Sequence, residues 1–131
     1  MIVARIESLI MSKGLSDAFK RAEAYIKSGV DGIMIHSKSK KPNEILQFAN
    51  KFRSIKKYKK IPLICVPSTY NQIYDYKLDK AGFDLVIYAN HLMRSSFPAM
   101  EETAKLILKH GRTYELEKKI ASIPKALNYI S

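Results

Sequence analysis

Arg5 lies inside a short apolar segment, residues 2–6, where a charged side chain is unexpected. A guanidinium group is costly to bury unless it meets an anion. Its planar N–H donors suit a carboxylate or a phosphate, to which arginine can donate paired hydrogen bonds. Two interpretations therefore stay open: Arg5 binds an anionic ligand, or it forms an internal ion pair with Glu7 or another acid.

His36 directly follows the apolar segment of residues 30–35, and Ser37 and Lys38 come next. An imidazole at this place can hydrogen-bond an anionic substrate or donate a proton, whereas the structural alternative is a histidine bonded only to the backbone. The hydroxyls of Ser37, Ser68 and Thr69 can donate to phosphate oxygens, although hydroxyls after strands commonly satisfy turns instead.

Short apolar segments alternate with amphipathic segments along the chain. Strands are predicted over residues 2–6, 30–35, 61–66 and 83–88, with helices between them. Nearly continuous apolar strands are typical of a parallel sheet that is buried on both faces. The pattern predicts an α/β fold of four parallel βα units, either an open sheet or half of a (β/α)8 barrel, since a whole barrel needs about 250 residues.

Several residues mark the expected ends of the helices. Ser16 is expected to cap the first helix and Gly29 to end it, and Pro42 and Asn43 open the second. A third helix is predicted over residues 70–80 and a long one over residues 92–110, ended by Gly82 and Gly111. Residues 1–131 are predicted to form a single domain, in which residues 112–131 are a helical tail with two short stretches split by Pro124.

The carboxyl ends of parallel strands meet at one edge of the sheet, where such folds bind their ligands. The polar candidates at these ends are Arg5, Glu7, His36, Ser37, Lys38, Ser68, Thr69 and Asn90. We expect them to surround one site. No group of carboxylates follows the strands, so the sequence predicts no metal ligands within this chain.

The chain has 131 residues, of which 47% are hydrophobic, and a net charge of +11. This charge favours anionic partners, and a basic α/β module that binds nucleic acid or a protein without catalysis is one alternative. No nucleic-acid motif accompanies the lysine-rich segment of residues 51–60, so a solvated surface is the preferred interpretation and no nucleic acid is expected. No membrane segment is predicted, and Cys65 in its apolar segment indicates a buried thiol and a cytoplasmic location.

Four segments together resemble the phosphoenolpyruvate mutase branch of the isocitrate lyase superfamily. They are VARIES (residues 3–8), AFKRAEAYIKSGVDGIMIHSK (18–38), VPSTY (66–70) and VIYANHLMRSS (86–96). The resemblance extends from residue 3 to about residue 123, and it matches only the C-terminal half of the family's (β/α)8 barrel.

The resemblance implies an activity and a set of site residues. Such enzymes interconvert phosphoenolpyruvate and phosphonopyruvate, a step of phosphonate biosynthesis, and Arg5 and His36 match residues that contact the anionic groups of the substrate. Phosphonopyruvate hydrolase and the isocitrate or methylisocitrate lyases of the same superfamily are alternatives. The family binds Mg²⁺ through acids of the first four strands, which are absent here.

The resemblance also implies an assembly. The last barrel helix of the family is exchanged between subunits, and this feature carries over to the helix that begins near Leu92. A dimer or tetramer is therefore expected. A half-barrel exposes apolar surface that favours such association.

Overall fold

The chain folds into two compact units, Met1–Ala89 and Asn90–Ser131. The computed structural model describes residues 1–129. The last two residues of the predicted tail, Ile130 and Ser131, lie outside the described residues.

The first unit is a parallel four-stranded sheet with helices between the strands. Its strands are β1 (Val3–Ile6), β2 (Gly32–Ile35), β3 (Leu63–Cys65) and β4 (Leu85–Val86), in the spatial order β1-β2-β3-β4. Its helices are α1 (Gly14–Lys27), α2 (Asn43–Ser54) and α3 (Asp75–Lys80), and a 3-10 turn covers Lys56–Tyr58. The predicted α/β fold of four parallel βα units is confirmed.

The core of this unit lies where the helices pack against the sheet. Ile6, Ile35 and Cys65 lie side by side in the register of the sheet and are fully buried. A run of stacked aromatic rings joins α1 and α2, in which Phe19 and Phe48 are 4.6 Å apart and Phe48 and Phe52 are 5.8 Å apart. The i, i+4 spacing of Phe48 and Phe52 places both rings on the core-facing side of α2.

Burial of the strands on both faces is only partly observed. Arg5 in β1 is exposed and Leu85 in β4 keeps 50% of its surface in solvent, while Ala4, Ile6 and Val86 pack into the core. Successive residues of a strand point to opposite faces, so Arg5 and Leu85 lie on the face away from the core. In a (β/α)8 barrel this face is the interior, which the chain's own four strands cannot enclose.

Two helix starts differ from the sequence prediction. Helix α1 begins at Gly14 and its N-cap is Lys13, so the prediction of Ser16 as the cap is wrong. The preceding turn already closes through hydrogen bonds from Met11 N to Glu7 O (2.9 Å) and from Lys13 N to Ser8 O (2.8 Å), so the helix starts earlier.

The third helix is shorter than predicted, because α3 starts at Asp75 and not near Tyr70. The ring of Tyr70 is fully buried, and the chain from Tyr70 to Tyr74 follows turns that place it there. Strand β4 is also shorter than predicted, since it pairs on one side only, through β3.

The second unit contains the long helix α4 (His91–His110), a 3-10 turn (Tyr114–Leu116) and helix α5 (Ile123–Leu127). Gly111 ends α4 in a left-handed conformation with φ of 63°, as predicted. Pro124 lies in the first turn of α5, so it does not separate two helical stretches, because proline fits where no N–H donor is needed. Within residues 1–129, no helix is long and apolar enough to cross a membrane.

Candidate active site

Arg5 and Glu7 form an ion pair at the carboxyl end of β1. The pair joins Arg5 Nε to a carboxylate oxygen of Glu7, and the side chains are 52% and 41% exposed. The internal ion pair considered for Arg5 is therefore present. The ion pair uses only part of the hydrogen-bonding capacity of Arg5, because a guanidinium carries further N–H donors on its terminal nitrogens. These donors can bind a second anion.

His36 lies next to this ion pair, at the carboxyl end of β2. Burial is the main cause that lowers the pKa of His36 below its usual 6.5, and the charge of Arg5 lowers it further. The carboxylate of Glu7 and the carbonyl of Val66 act in the opposite direction. His36 is therefore neutral at pH 7, with one ring nitrogen that can donate a hydrogen bond and one that can accept.

The Nδ1 atom of His36 is buried and has no hydrogen-bond partner within the described part of the chain. Buried polar atoms are normally paired, so an unpaired one needs a partner from a ligand, a water or another chain. Arg5, Glu7 and His36 are hereafter the edge cluster. The structure thus brings together the three predicted residues whose side chains are best suited to bind an anion or transfer a proton.

Ser37 and Thr69 tie the loops after β2 and β3 together. The Thr69 hydroxyl donates to the carbonyl of Ser37 at 2.6 Å. The Ser37 hydroxyl is fully buried and donates to Glu44 at 2.7 Å. In this structure both hydroxyls are therefore engaged in loop contacts, which is the turn-satisfying role that strand-end hydroxyls often have.

The remaining predicted residues lie at other places. Lys38 Nζ donates to the Ser12 hydroxyl at 2.7 Å, beside a cavity of about 280 Å³ between the loops after β1 and β2. The backbone N–H of Ser68 donates to the carbonyl of Val66 at 2.9 Å. Asn90 belongs to the second unit, where it precedes α4, and its Oδ1 atom is buried without a partner in residues 1–129.

Asp17 and Glu44 contact the site loops and were not identified from the sequence. Asp17 accepts a hydrogen bond from the buried Ser8 hydroxyl at 2.6 Å, and Glu44 accepts the one from Ser37. Both acids lie in the first turn of a helix. Acids in a first turn complement the helix dipole, so their residue type and position do not by themselves indicate a contact with a serine.

Cys65 and Tyr70 lie in the core of the first unit, and the prediction of a buried thiol is confirmed. Burial raises the pKa of Cys65 to about 12 and also raises the pKa of Tyr70. Because the thiolate is the reactive form of cysteine, Cys65 is unreactive at neutral pH. In residues 1–129 no three side chains of His, Cys, Asp or Glu come close enough together to hold a metal ion.

Comparison with known proteins gives a consistent assignment. The family described as "Phosphoenolpyruvate phosphomutase" matches residues 1–108. The phosphoenolpyruvate phosphomutase of Tetrahymena pyriformis is 38% identical over 122 residues, which cover 93% of this chain and 39% of the relative. The chain thus spans about two fifths of that relative's length, as expected for a match to half of a barrel.

Two solved structures have the same fold. Phosphoenolpyruvate phosphomutase from Streptomyces platensis subsp. rosaceus superposes with a TM-score of 0.88 and 38% identity, over 98% of this chain and 43% of that one. A phosphonopyruvate hydrolase in complex with oxalate and Mg²⁺ gives a TM-score of 0.84 and 32% identity, over 98% and 44%. The chain belongs to the phosphoenolpyruvate phosphomutase family, whose fold it shares over most of its length.

Proposed function

We propose that this chain supplies the anion-binding edge of an enzyme that interconverts phosphoenolpyruvate and phosphonopyruvate. The observation that carries the proposal is the edge cluster, where the guanidinium of Arg5 stands beside a neutral His36 whose Nδ1 is unpaired. Both groups lie at the carboxyl ends of neighbouring strands, where barrel enzymes bind their substrates. The family assignment makes a phosphorylated or phosphonylated pyruvate the expected ligand class.

The reaction moves a phosphoryl group between carbon and oxygen. The P–C bond of phosphonopyruvate breaks, its electron pair remains on the pyruvate enolate, and a P–O bond to the enolate oxygen forms phosphoenolpyruvate. Negative charge spreads over the transferred oxygens during such a step, so catalysis depends on fixed positive groups and donors. Arg5 stabilises this charge, and His36 beside it contacts the anionic groups of the substrate.

The surrounding residues have supporting roles in this proposal. Glu7 orients Arg5 through their ion pair, so that the terminal nitrogens of the guanidinium face the substrate. Lys38, Ser68, Thr69 and Asn90 are proposed as additional donors to substrate oxygens. Ser37, which was expected among them, instead donates its hydroxyl to Glu44.

The described residues do not form a metal site, so no step is assigned to a metal here. We propose that Mg²⁺ is bound by acids of the strands that complete the barrel. In that position it would stabilise the negative charge of the enolate oxygen. Those acids would have to come from sequence outside this chain, because another copy of it carries the same strand ends.

Phosphonopyruvate hydrolase and a C–C lyase are the alternatives within the superfamily, and one assay separates them. The assembled barrel is incubated with phosphonopyruvate and Mg²⁺ and followed by ³¹P NMR. Phosphoenolpyruvate appears if the enzyme is a mutase, whereas inorganic phosphate and pyruvate appear if it is a hydrolase. A lyase consumes methylisocitrate and leaves phosphonopyruvate unchanged, which would overturn the proposal.

The same assay tests the residue that carries the proposal. Arg5→Ala should lower kcat/KM by about 10²-fold or more, because removing one charge-stabilising donor typically costs this much. The control is Arg112→Ala, since Arg112 pairs with Glu115 in the second unit and is exposed. Equal activity of the two variants would contradict the role of Arg5.

We further propose that the protein acts as a homo-dimer or tetramer in which α4 is exchanged between subunits. None of the twenty residues of α4 is buried, and its large exposed apolar side chains include Leu92, Phe97, Met100 and Leu108. Light scattering at several concentrations tests the assembly: a constant oligomer supports it, and a monomer contradicts it. We also propose that the enzyme takes part in phosphonate biosynthesis and that it is located in the cytoplasm.

A further inference from the structure

Ser8 and Ser37 are the two buried polar side chains of residues 1–129, tyrosine and cysteine aside. Their exposures are 1% and 0%. Each serine directly follows a member of the edge cluster, Ser8 after Glu7 and Ser37 after His36. Both serines are buried while Glu7 is 41% exposed and His36 is half-buried, so each serine points inward where its neighbour points to the site.

The two serines make the same kind of hydrogen bond. Ser8 Oγ donates to Asp17 Oδ2 at 2.6 Å, and Ser37 Oγ donates to Glu44 Oε2 at 2.7 Å. Each carboxylate lies in the first turn of the helix that follows the serine's strand, α1 in one case and α2 in the other. Bonds from a hydroxyl to a carboxylate are short and stronger than those between neutral groups.

Further contacts hold both pairs. Asp17 Oδ2 also accepts from Arg21 Nε at 2.8 Å, and these two bonds hold the pKa of Asp17 below its usual value. Asp17 is therefore a fixed, charged acceptor at neutral pH. On the other side, the Ser37 carbonyl accepts from Thr69 and its hydroxyl accepts from Ser39 N at 3.0 Å.

We propose that the Ser8–Asp17 and Ser37–Glu44 pairs are positioning residues that hold Glu7 and His36 in place around Arg5. The proposal rests on the proposed function only in taking the edge cluster as the surface that meets the substrate. Each pair links a strand end to a helix start, which are rigid elements. Side chains held by such contacts keep the geometry that binding and catalysis need.

The pKa of His36 in this chain, followed by NMR titration of its ring protons, reports the geometry directly. Ser37→Ala removes the contact that holds the loop, so water reaches the imidazole and the pKa of His36 should rise by roughly half a unit toward its usual value. Ser8→Ala releases Glu7, whose carboxylate raises the pKa of His36, so this variant should lower it. Opposite shifts from two equivalent substitutions are not expected from general loosening of the fold.

Matched variants separate positioning from folding. Ser39→Ala is the control in the same loop, because the Ser39 hydroxyl accepts only a local hydrogen bond from Lys41 N at 3.1 Å. Ser37→Thr and Glu44→Gln keep a donor and an acceptor, so they should restore the wild-type titration. If Ser37→Ala loses its fold, Glu44→Gln against Glu44→Ala gives the same comparison.

The proposal is overturned if Ser8→Ala and Ser37→Ala titrate like Ser39→Ala, even where their unfolding midpoints fall. In the assembled barrel, Ser37→Ala should lower kcat more than it raises KM. If the wild-type protein has no activity toward phosphonopyruvate, the proposed function is contradicted. The shifts in the pKa of His36 would still test the positioning role of the two pairs.

Discussion

Arg5 and Arg53 are used in opposite ways. Arg5 belongs to β1, whereas Arg53 lies in the last turn of α2. The side chain of Arg53 is 18% exposed, while that of Arg5 is 52% exposed. Arg53 donates to the carbonyls of Gly82 (2.7 Å), Tyr58 (3.1 Å), Lys59 (3.2 Å) and Ile61 (2.9 Å), and it pairs with Asp84. It thereby joins the chain segments that enter β3 and β4.

Within residues 1–129, Arg5 forms one ion pair, with Glu7 from its own strand end. A guanidinium whose donors the fold already satisfies acts as a structural connector, whereas one with donors left over can bind a ligand, which is the role proposed for Arg5. The amino end of the sheet uses its arginine fully, and the carboxyl end leaves donors for a ligand. The following predictions test this contrast, from the largest effect to the smallest.

Arg53→Met should lower the free energy of unfolding by about 2–3 kcal/mol, because it removes the hydrogen bonds of Arg53 to four carbonyls and its ion pair with Asp84. The Asp84 carboxylate keeps the hydrogen bond that it accepts from Leu63 N at 2.7 Å. The value is at the low end for buried pairs because the Asp84 side chain is 55% exposed. Urea unfolding followed by circular dichroism measures it. A loss below about 0.5 kcal/mol, the range of ordinary surface changes, would remove the structural role assigned to Arg53.

Gly82→Ala should cost about 1–3 kcal/mol more than Gly29→Ala, since only the former overpacks its surroundings. Both glycines have positive φ, 97° and 88°, so both substitutions introduce backbone strain. A Cβ at Gly82 would lie 2.6 Å from Cγ of Arg53, whereas one at Gly29 meets nothing within 4 Å. The same urea experiment compares them, and equal losses would mean that Arg53 can move aside.

Arg5→Met should change the free energy of unfolding by less than about 1 kcal/mol, as is usual for exposed ion pairs. The same variant should lose affinity for phosphonopyruvate, the ligand proposed for the assembled barrel, which calorimetry measures. If Arg5→Met lowers the free energy of unfolding as much as Arg53→Met does, both arginines are structural and the proposed difference between them is wrong.

The pH dependence of stability gives the smallest effect. The pKa of His36 is lowered in the folded chain, so the unfolded chain binds the proton first as pH falls below 6.5. This contribution to stability is present above 6.5 and is lost as pH falls through the folded pKa. In Arg5→Met the loss should be smaller, because removing the arginine's charge raises the folded pKa; His36→Gln should abolish it. Urea midpoints between pH 5 and 7.5 measure the difference.

The sequence predicted the order of the elements well, because glycines and apolar segments act locally. Gly29, Gly82 and Gly111 lie directly after α1, α3 and α4 or one residue beyond, as their left-handed conformations require. The convergence of Arg5 and His36 was also predictable, because parallel strands bring their carboxyl ends to one edge.

The role of Arg53 was not predictable in the same way. In the sequence it is one cation within a run of lysines, and charge alone does not tell a connector from a solvated side chain. Arg53 differs from the neighbouring lysines because it follows the buried Phe52 and donates a hydrogen bond to the carbonyl of Gly82, 29 residues later in the sequence. The hydrogen bond between Ser37 and Glu44 was also not predicted from the sequence, because it depends on the path of the loop between β2 and α2.

Because Cys65 is fully buried, the rate at which its thiol is labelled reports how often the sheet opens. A thiol with no exposed surface and a pKa of about 12 reacts with an alkylating reagent only after β3 has separated from its neighbours. Mass spectrometry of a timed labelling reaction would therefore record how often the sheet opens, with a single site and no introduced probe.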